Sequence, residues 1–289
     1  MCTVINKPLE KADKGEKTMK KILTLIVTAV LSIGCIFGLT ACGSGRTLED
    51  VKNSKQLIIS TEATFAPFES KEGENYVGID IDIAQKIADY LGVKLVVKDM
   101  AFDSVCTAVQ KGQVDLAIAG LTISDDRKEI IDFSDSYFGA AQYVVVKSDN
   151  TAFDACTTKE EVDAVLKTLS GKASAQQGTT GYFYISGSED FNFEGISNLT
   201  ATAFDSAVQA AQDVANGSSV VAILDDEVAK KVAQNNSGVK IIEIALSSEE
   251  YGIGVNKNNK DLLEVVNTVL KNLKDSGELA AIIAKHTGN

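Results

Sequence analysis

The chain has 289 residues, 45% hydrophobic and only 6% aromatic, with no tryptophan and two prolines. Its formal charge of −12, from 28 basic against 40 acidic residues, argues against a nucleic-acid partner, whose binding rests on Lys and Arg at phosphates. The length allows one large or two modest domains, and the composition points to helix-rich α/β rather than all-β.

Lys20 and Lys21 precede an apolar run from Ile22 to Thr40, which ends in Leu39-Thr40-Ala41-Cys42 and passes into Gly43-Ser44-Gly45. A charged stretch, an apolar stretch and small residues, in that order, make an export signal. The Leu-Thr-Ala-Cys ending resembles a bacterial lipoprotein cleavage box, in which Cys42 becomes the lipid-bearing first residue. The alternative is an uncleaved span, since about 20 apolar residues cross a bilayer. Residues 1–18 are expected to be a start-site artefact, 19–41 the signal, and 42–54 a flexible linker behind the lipidated Cys42. Beyond the leader only Cys106 and Cys156 remain. They are expected as free thiols, and neither has metal-ligand spacing.

Strands and helices then alternate. Gln56–Glu62 reads as a strand, followed by a loop with Phe65, Pro67 and Phe68. Ile83, Ile87 and Leu91 form one helical face that stops at Gly92. Lys94–Met100 is expected as a strand, Asp103–Lys111 as a helix and Val114–Gly120 as a strand. Next come a strand at Gln142–Lys147, a helix at Lys159–Leu169 and a strand at Lys172–Gln177, which runs into Gly178-Thr-Thr-Gly181. Val220–Asp225, Val239–Leu246 and Tyr251–Lys257 read as further strands, and Lys260–His286 as one or two amphipathic helices. Such alternation implies α/β architecture, open sheets covered by helices on both faces. Phe102-Asp-Ser and Phe204-Asp-Ser each open a helix, a turn and an apolar strand, an echo that suggests two lobes built alike.

The segment from Ala119 to Arg127 carries the chemistry. A buried-type strand runs into Gly120, Thr122 and, five residues later, Arg127. Strand ends opening onto loops are where α/β folds keep ligands. Glycine admits a ligand to the backbone, a threonine hydroxyl hydrogen-bonds it, and the arginine fork grips a carboxylate with two parallel bonds. The set reads as a grip for a small carboxylate, against the alternative of an ordinary loop with a surface arginine.

The strings ISTEATFAPFES, YVGIDIDIAQKIAD, FDSVCTAVQKGQVDLAIAGLTISDDRKEIIDFSDSYF, GKASAQQGTTG and AILDDEVA occur in one order. In that order they resemble the polar amino-acid-binding proteins of ABC importers, the histidine, glutamine and lysine/arginine/ornithine binders. The resemblance covers about residues 55–286 and is looser between Thr151 and Ala201. It implies a two-lobed periplasmic-binding-protein fold of type II, with two hinge segments near Tyr137–Ala141 and Ser247–Glu250. Lobe 1 would comprise 55–139 plus 250–289, and lobe 2 would comprise 140–249. The resemblance also implies an amino-acid ligand, an ABC permease as partner, no cofactor, a monomer, and no enzymatic activity.

Carried over residue by residue, the resemblance implies a site. Arg127, the Thr122 amide and the backbone at Thr180 would hold the α-carboxylate. Asp226, the Gly120 carbonyl after Ala119 and the Thr122 hydroxyl would hold the α-ammonium. Phe65 and Phe102 would bracket the side chain, with Glu62 and Gln176 at its far end and Asp225 adding negative potential. The alternatives are core roles for the two phenylalanines and helix capping for Asp226. Glu62 favours arginine, lysine or ornithine if it points inward, since charge pairing in a desolvated site discriminates strongly; glutamine or histidine is the alternative. His286, the one histidine, has no partner cluster, and there is no nucleophile elbow, phosphate loop or zinc spacing. A dehydratase or lyase on the same fold, with Glu62 as its acid or base, and a ligand-sensing protein remain as other classes. The lipid signal places the chain on the outer face of the cell membrane, with a Gram-positive surface favoured over a periplasm.

Overall fold

The computed structural model describes residues 45–288. The expected leader and the expected lipidation site at Cys42 lie outside the described residues. Part of the expected linker is helical: α1 spans Leu48–Ser54, with a reciprocal capping box between Thr47 and Asp50. Thr47 accepts from the Asp50 amide and Asp50 accepts from the Thr47 amide, which satisfies two orphan donors and starts a helix where composition suggested a tether.

Two five-stranded sheets form the body. In the first, β1 (Gln56–Thr61) lies parallel to β5 (Lys94–Asp99) and to β6 (Leu116–Ala117), with the short antiparallel strands β15 (Gly254–Val255) and β7 (Asp132–Phe133) beyond them. In the second, β10 (Gly171–Gln176) lies parallel to β11 (Leu199–Phe204) and to β12 (Val221–Asp225), followed by antiparallel β9 (Gln142–Lys147) and β13 (Val239–Ile242). The orders β5-β1-β6-β15-β7 and β11-β10-β12-β9-β13 match position for position. The Phe-Asp-Ser echo therefore marks equivalent crossovers. A third small sheet, β2 (Thr64–Phe65), β3 (Glu69–Glu72) and β4 (Asn75–Val77), decorates the first.

Between the sheets the chain crosses twice. The crossings pair with one another as strands β8 (Phe138–Ala140) and β14 (Glu249–Tyr251). The single strand expected over Tyr251–Lys257 is thus two strands in two sheets, parted at Gly252, where a Cβ would press on the Ile123 side chain at 2.9 Å. The expected strand Val114–Gly120 is laddered only at Leu116–Ala117. The Lys260–His286 segment is two helices, α9 (Lys260–Asp275) and α10 (Glu278–Thr287), broken at Gly277.

Amphipathic periodicity sets which helix faces turn inward. Helix α2 (Ile79–Leu91) buries Ile79, Ile83, Ala84, Ile87 and Ala88, and α9 buries Leu262, Val266, Val269, Leu270 and Leu273. One apolar cluster holds residues of both lobes, from Leu57, Ile59 and Phe65 to Ala222, Leu224 and Val228. Cys106 is buried and Cys156 partly so; both are free. Among the described residues no helix is long and apolar enough to cross a membrane.

Candidate functional site

The expected residues sit at the carboxyl ends of strands from both sheets. Glu62 follows β1, Phe102 follows β5 and Gly120 follows β6; Gln176 ends β10 and Asp225 ends β12. Such ends converge where two α/β sheets face one another.

Arg127 lies in α4 (Asp125–Ile130) and is 7% exposed. Its Nη1 donates to the Thr122 carbonyl at 2.7 Å and its Nη2 to the Gly178 carbonyl of the other lobe at 3.1 Å. Both bonds are charge-assisted, and a buried guanidinium with spare donors is a site for an anion. The Thr122 and Thr180 hydroxyls stand 3.2 Å apart across the lobes, and the Thr122 hydroxyl also contacts Glu249 Oε2 at 2.8 Å. A carboxylate only accepts, so Thr122 donates to Glu249 and Thr180 donates to Thr122. Thr180 opens α6 (Thr180–Ser186), whose second residue, Gly181, lies so close to β12 that a Cβ would meet the Ile223 carbonyl at 2.3 Å.

At the opposite end Glu62 accepts from Thr64 Oγ1 at 2.7 Å and from Gln176 Nε2 at 2.9 Å, again between lobes. Burial pushes the Glu62 carboxyl up, against the pull of those two hydrogen bonds. Gln176 is 1% exposed, and its Oε1 is a buried acceptor with no partner. Gln176 thus meets Glu62 through its amide nitrogen and leaves its carbonyl oxygen buried and unpartnered. The Phe65 and Phe102 rings lie nearby, roughly parallel, with centroids 6.4 Å apart and planes at 24°. Gly120 has φ +51, and a Cβ there would meet Phe65 Cε1 at 2.9 Å. Glycine lets the ring and the backbone share this space. Ala119 is fully buried beneath them.

The two neighbouring aspartates differ in their surroundings. Asp226 begins helix α8 (Asp226–Asn235), is half-buried, and spends its carboxylate on the Glu227 amide at 2.8 Å. Asp225 is 4% exposed and accepts from the Tyr251 hydroxyl. Burial, then the neighbouring Glu249, pushes its pKa up to about 8. The reason is strand parity: the side chain of Asp225, paired with Gln142 in the ladder, faces the interior, whereas Asp226 has already turned into the helix.

The profile of the bacterial extracellular solute-binding proteins, family 3, matches residues 57–289. The chain belongs to that family. It is 32% identical over 270 residues to the arginine-binding extracellular protein ArtP of Bacillus subtilis (strain 168), covering 92% of this chain and 98% of that one. Among solved structures, a mutant of ArgBP from T. maritima superposes with a TM-score of 0.73 at 33% identity, covering 84% of this chain and 99% of the other. An ancestral arginine-binding protein bound to glutamine gives 0.71 at 36% identity, covering 81% and 99%. These relatives are binding proteins rather than enzymes, and the shared fold is the two-lobed type II arrangement.

In this solute-binding protein three residues outside the sequence reading complete the cluster. Glu249, in β14, accepts from Gln142 Nε2 at 3.1 Å and Ser247 Oγ at 2.6 Å besides Thr122, so it links both lobes at the crossing strands. Tyr251 is fully buried against Asp225. Phe191 places its ring 5.8 Å from the Arg127 guanidinium carbon. The paired acids Glu249-Glu250 before the Tyr-Gly-Ile of a late strand were the one available signal for Glu249. His286 ends α10 beside Asp82, 2.8 Å from its Oδ2.

Proposed function

We infer that this chain is the substrate-capturing component of an ABC importer and takes a polar α-amino acid by closing its two lobes. The observation that carries the reading is the surroundings of Thr122. Its carbonyl accepts from the buried Arg127, and its hydroxyl donates to the Glu249 carboxylate. A zwitterion is costly to desolvate unless cation and anion are matched at once, and this arrangement offers both signs on either side of one residue. The carboxylate belongs at Arg127 and the Thr180 turn. The ammonium belongs at the Gly120 carbonyl, the Thr122 hydroxyl and Asp226, with the buried Asp225 adding negative potential behind it.

The side-chain end is fitted for nitrogen donors. Glu62 and the unpartnered Gln176 Oε1 both accept, and flanking phenylalanine rings suit a flat or cationic group. Arginine, lysine or ornithine comes first. Relatives named for arginine support that order, and the ancestral arginine binder holding glutamine keeps glutamine as the alternative. Because neither lobe holds the full set, ligand favours the closed form, and closure is the state a permease reads. The Leu-Thr-Ala-Cys42 leader supports a lipid anchor on the outer face of the cell membrane.

Thermal unfolding of residues 43–289 against the common amino acids, after removing copurified ligand, tests the reading. A ligand specific to the folded state adds about 4 kcal/mol at a thousandfold excess over Kd. A large shift with arginine or lysine that disappears in Arg127→Ala is expected. A shift with glutamine alone would end the cationic preference, and none with any amino acid would end the zwitterion pocket.

A further inference from the structure

Arg127 is flanked by two rings, one from each lobe. Phe102 lies 5.3 Å from its guanidinium carbon and Phe191 lies 5.8 Å from it. Phe102 belongs to Arg127's own lobe. Phe191 belongs to the second lobe, on the Gly187–Gly195 loop that follows α6.

That loop is built to hold its ring. Ser188 and Phe193 exchange two backbone hydrogen bonds of 2.9 Å, and the Phe191 amide contacts Ser188 Oγ at 3.4 Å. Phe191 stacks on Phe183 of α6 at 5.2 Å and 18°, and on Phe193 at 5.9 Å and 16°. Phe193 meets Tyr184 edge-on at 4.9 Å and packs with the apolar core of its lobe. Phe191 is the ring between Phe183 and Phe193 in that stack, half-buried between exposed Asp190 and Asn192. The helix it leans on is the one that begins at Thr180, so the ring and the Thr180 turn move as one body.

We propose that Phe191 is a positioning residue for the carboxylate grip: carried over by the second lobe, its ring fixes the Arg127 guanidinium and shields it from water, so that the Gly187–Gly195 loop latches the closed form. The inference rests on the reading that Arg127 takes the ligand α-carboxylate. Two Arg127 donors are already spent on the Thr122 and Gly178 carbonyls, and these define the plane of the fork. A ring against the cation adds attraction that strengthens as water leaves, and it orders the group before the anion engages. Loss of the ring acts chiefly on dissociation, as most changes within one interface do.

The test is calorimetry and stopped-flow binding with L-arginine, L-glutamine and L-argininamide, on wild type and on Phe191→Leu, Phe191→Met and Phe191→Tyr. Phe191→Leu and Phe191→Met are expected to weaken L-arginine roughly three- to thirtyfold, the range of a partly desolvated cation–π contact, mostly through faster release. Phe191→Tyr should regain most of that loss. For L-argininamide, which lacks the carboxylate, the penalty should shrink to within about twofold, and in an Arg127→Lys background it should shrink likewise. Unchanged L-arginine release in both ring-less variants, or an equal penalty with L-argininamide, overturns the proposal while leaving amino-acid capture intact. If wild type binds neither L-arginine nor L-glutamine, the underlying reading fails and this one with it. Using both Leu and Met separates loss of the ring from a folding defect, which unfolding of the unliganded proteins reports directly.

Discussion

Glu62 shows how one side chain is decided by its surroundings. On the surface it would be one acid among 40 in an acidic chain. At 6% exposure, with Thr64 and Gln176 donating to it, it becomes an acceptor whose charge is expensive unless a cation meets it. Glu62→Gln should therefore weaken arginine binding by roughly tenfold to a hundredfold, the loss expected when a hydrogen bond to a charged group becomes neutral. Glutamine binding should stay within about threefold. Titration calorimetry with both ligands checks this, and equal losses for the two would remove Glu62 from side-chain selection. The Thr122–Arg127 spacing was legible because five residues carry the chain from a strand end into the first turn of a helix. The choice between Asp225 and Asp226 was not, since adjacent residues of one type differ only in the direction that strand parity gives them.

Elements explain which parts of the molecule the site depends on. Gly120 ends a strand with φ +51 beneath the Phe65 ring. Gly120→Ala imposes about 1–2 kcal/mol of left-handed backbone strain and displaces the ring, so binding should fall by about tenfold or more. Helix α5 (Lys159–Leu166) gives the contrast. Its Thr158–Glu161 capping box, with the Glu161 amide 3.3 Å from Thr158 Oγ1, is distant in role from the strand ends. Thr158→Ala should lower stability by about 1 kcal/mol and leave affinity unchanged; a loss of affinity would tie that helix to the site. Denaturant unfolding and calorimetry on both variants separate the two effects. Most elements could be read from periodicity, but α1 was not, because its Thr47–Asp50 capping box was obscured by the glycines and serine before it. The split at Gly252 was hidden for another reason: a continuous apolar run reads as one strand even when its halves pair with different sheets.

At the scale of the molecule, the fold buries acids as well as ligand groups. Asp225, with Tyr251, Gln142, Glu249 and Asp226 around it, is held at about 8, and Asp80, buried under Gly120, at about 6. A carboxyl whose folded value lies above its ordinary 3.8 keeps its proton on folding. The folded state then binds more protons than the unfolded chain between those values, and stability falls as pH rises through that window. The melting temperature of the unliganded protein should accordingly decline from about pH 5 to pH 8, with a shallower decline in Asp225→Asn. A ligand ammonium favours the ionised acid, so binding near pH 7 should release up to about one proton. Calorimetry in two buffers of different ionisation enthalpy measures that release. None in wild type would place the ammonium away from Asp225.

Sequence alone determined the alternation of strands and helices, the doubled Phe-Asp-Ser unit and the family to which the chain belongs. It could do so because periodicity, caps and short motifs are local, written within a few residues of one another. Tertiary structure decided which aspartate faces inward, that Glu249 ties Thr122 to Gln142 and Ser247, and that Phe191 reaches Arg127. Apart from the local bond to Ser247, those contacts join residues some 60 to 130 positions apart. They exist because two sheets, each stable through its own pairing, bring strand ends and loops of opposite lobes within hydrogen-bonding and ring-contact distance when they meet.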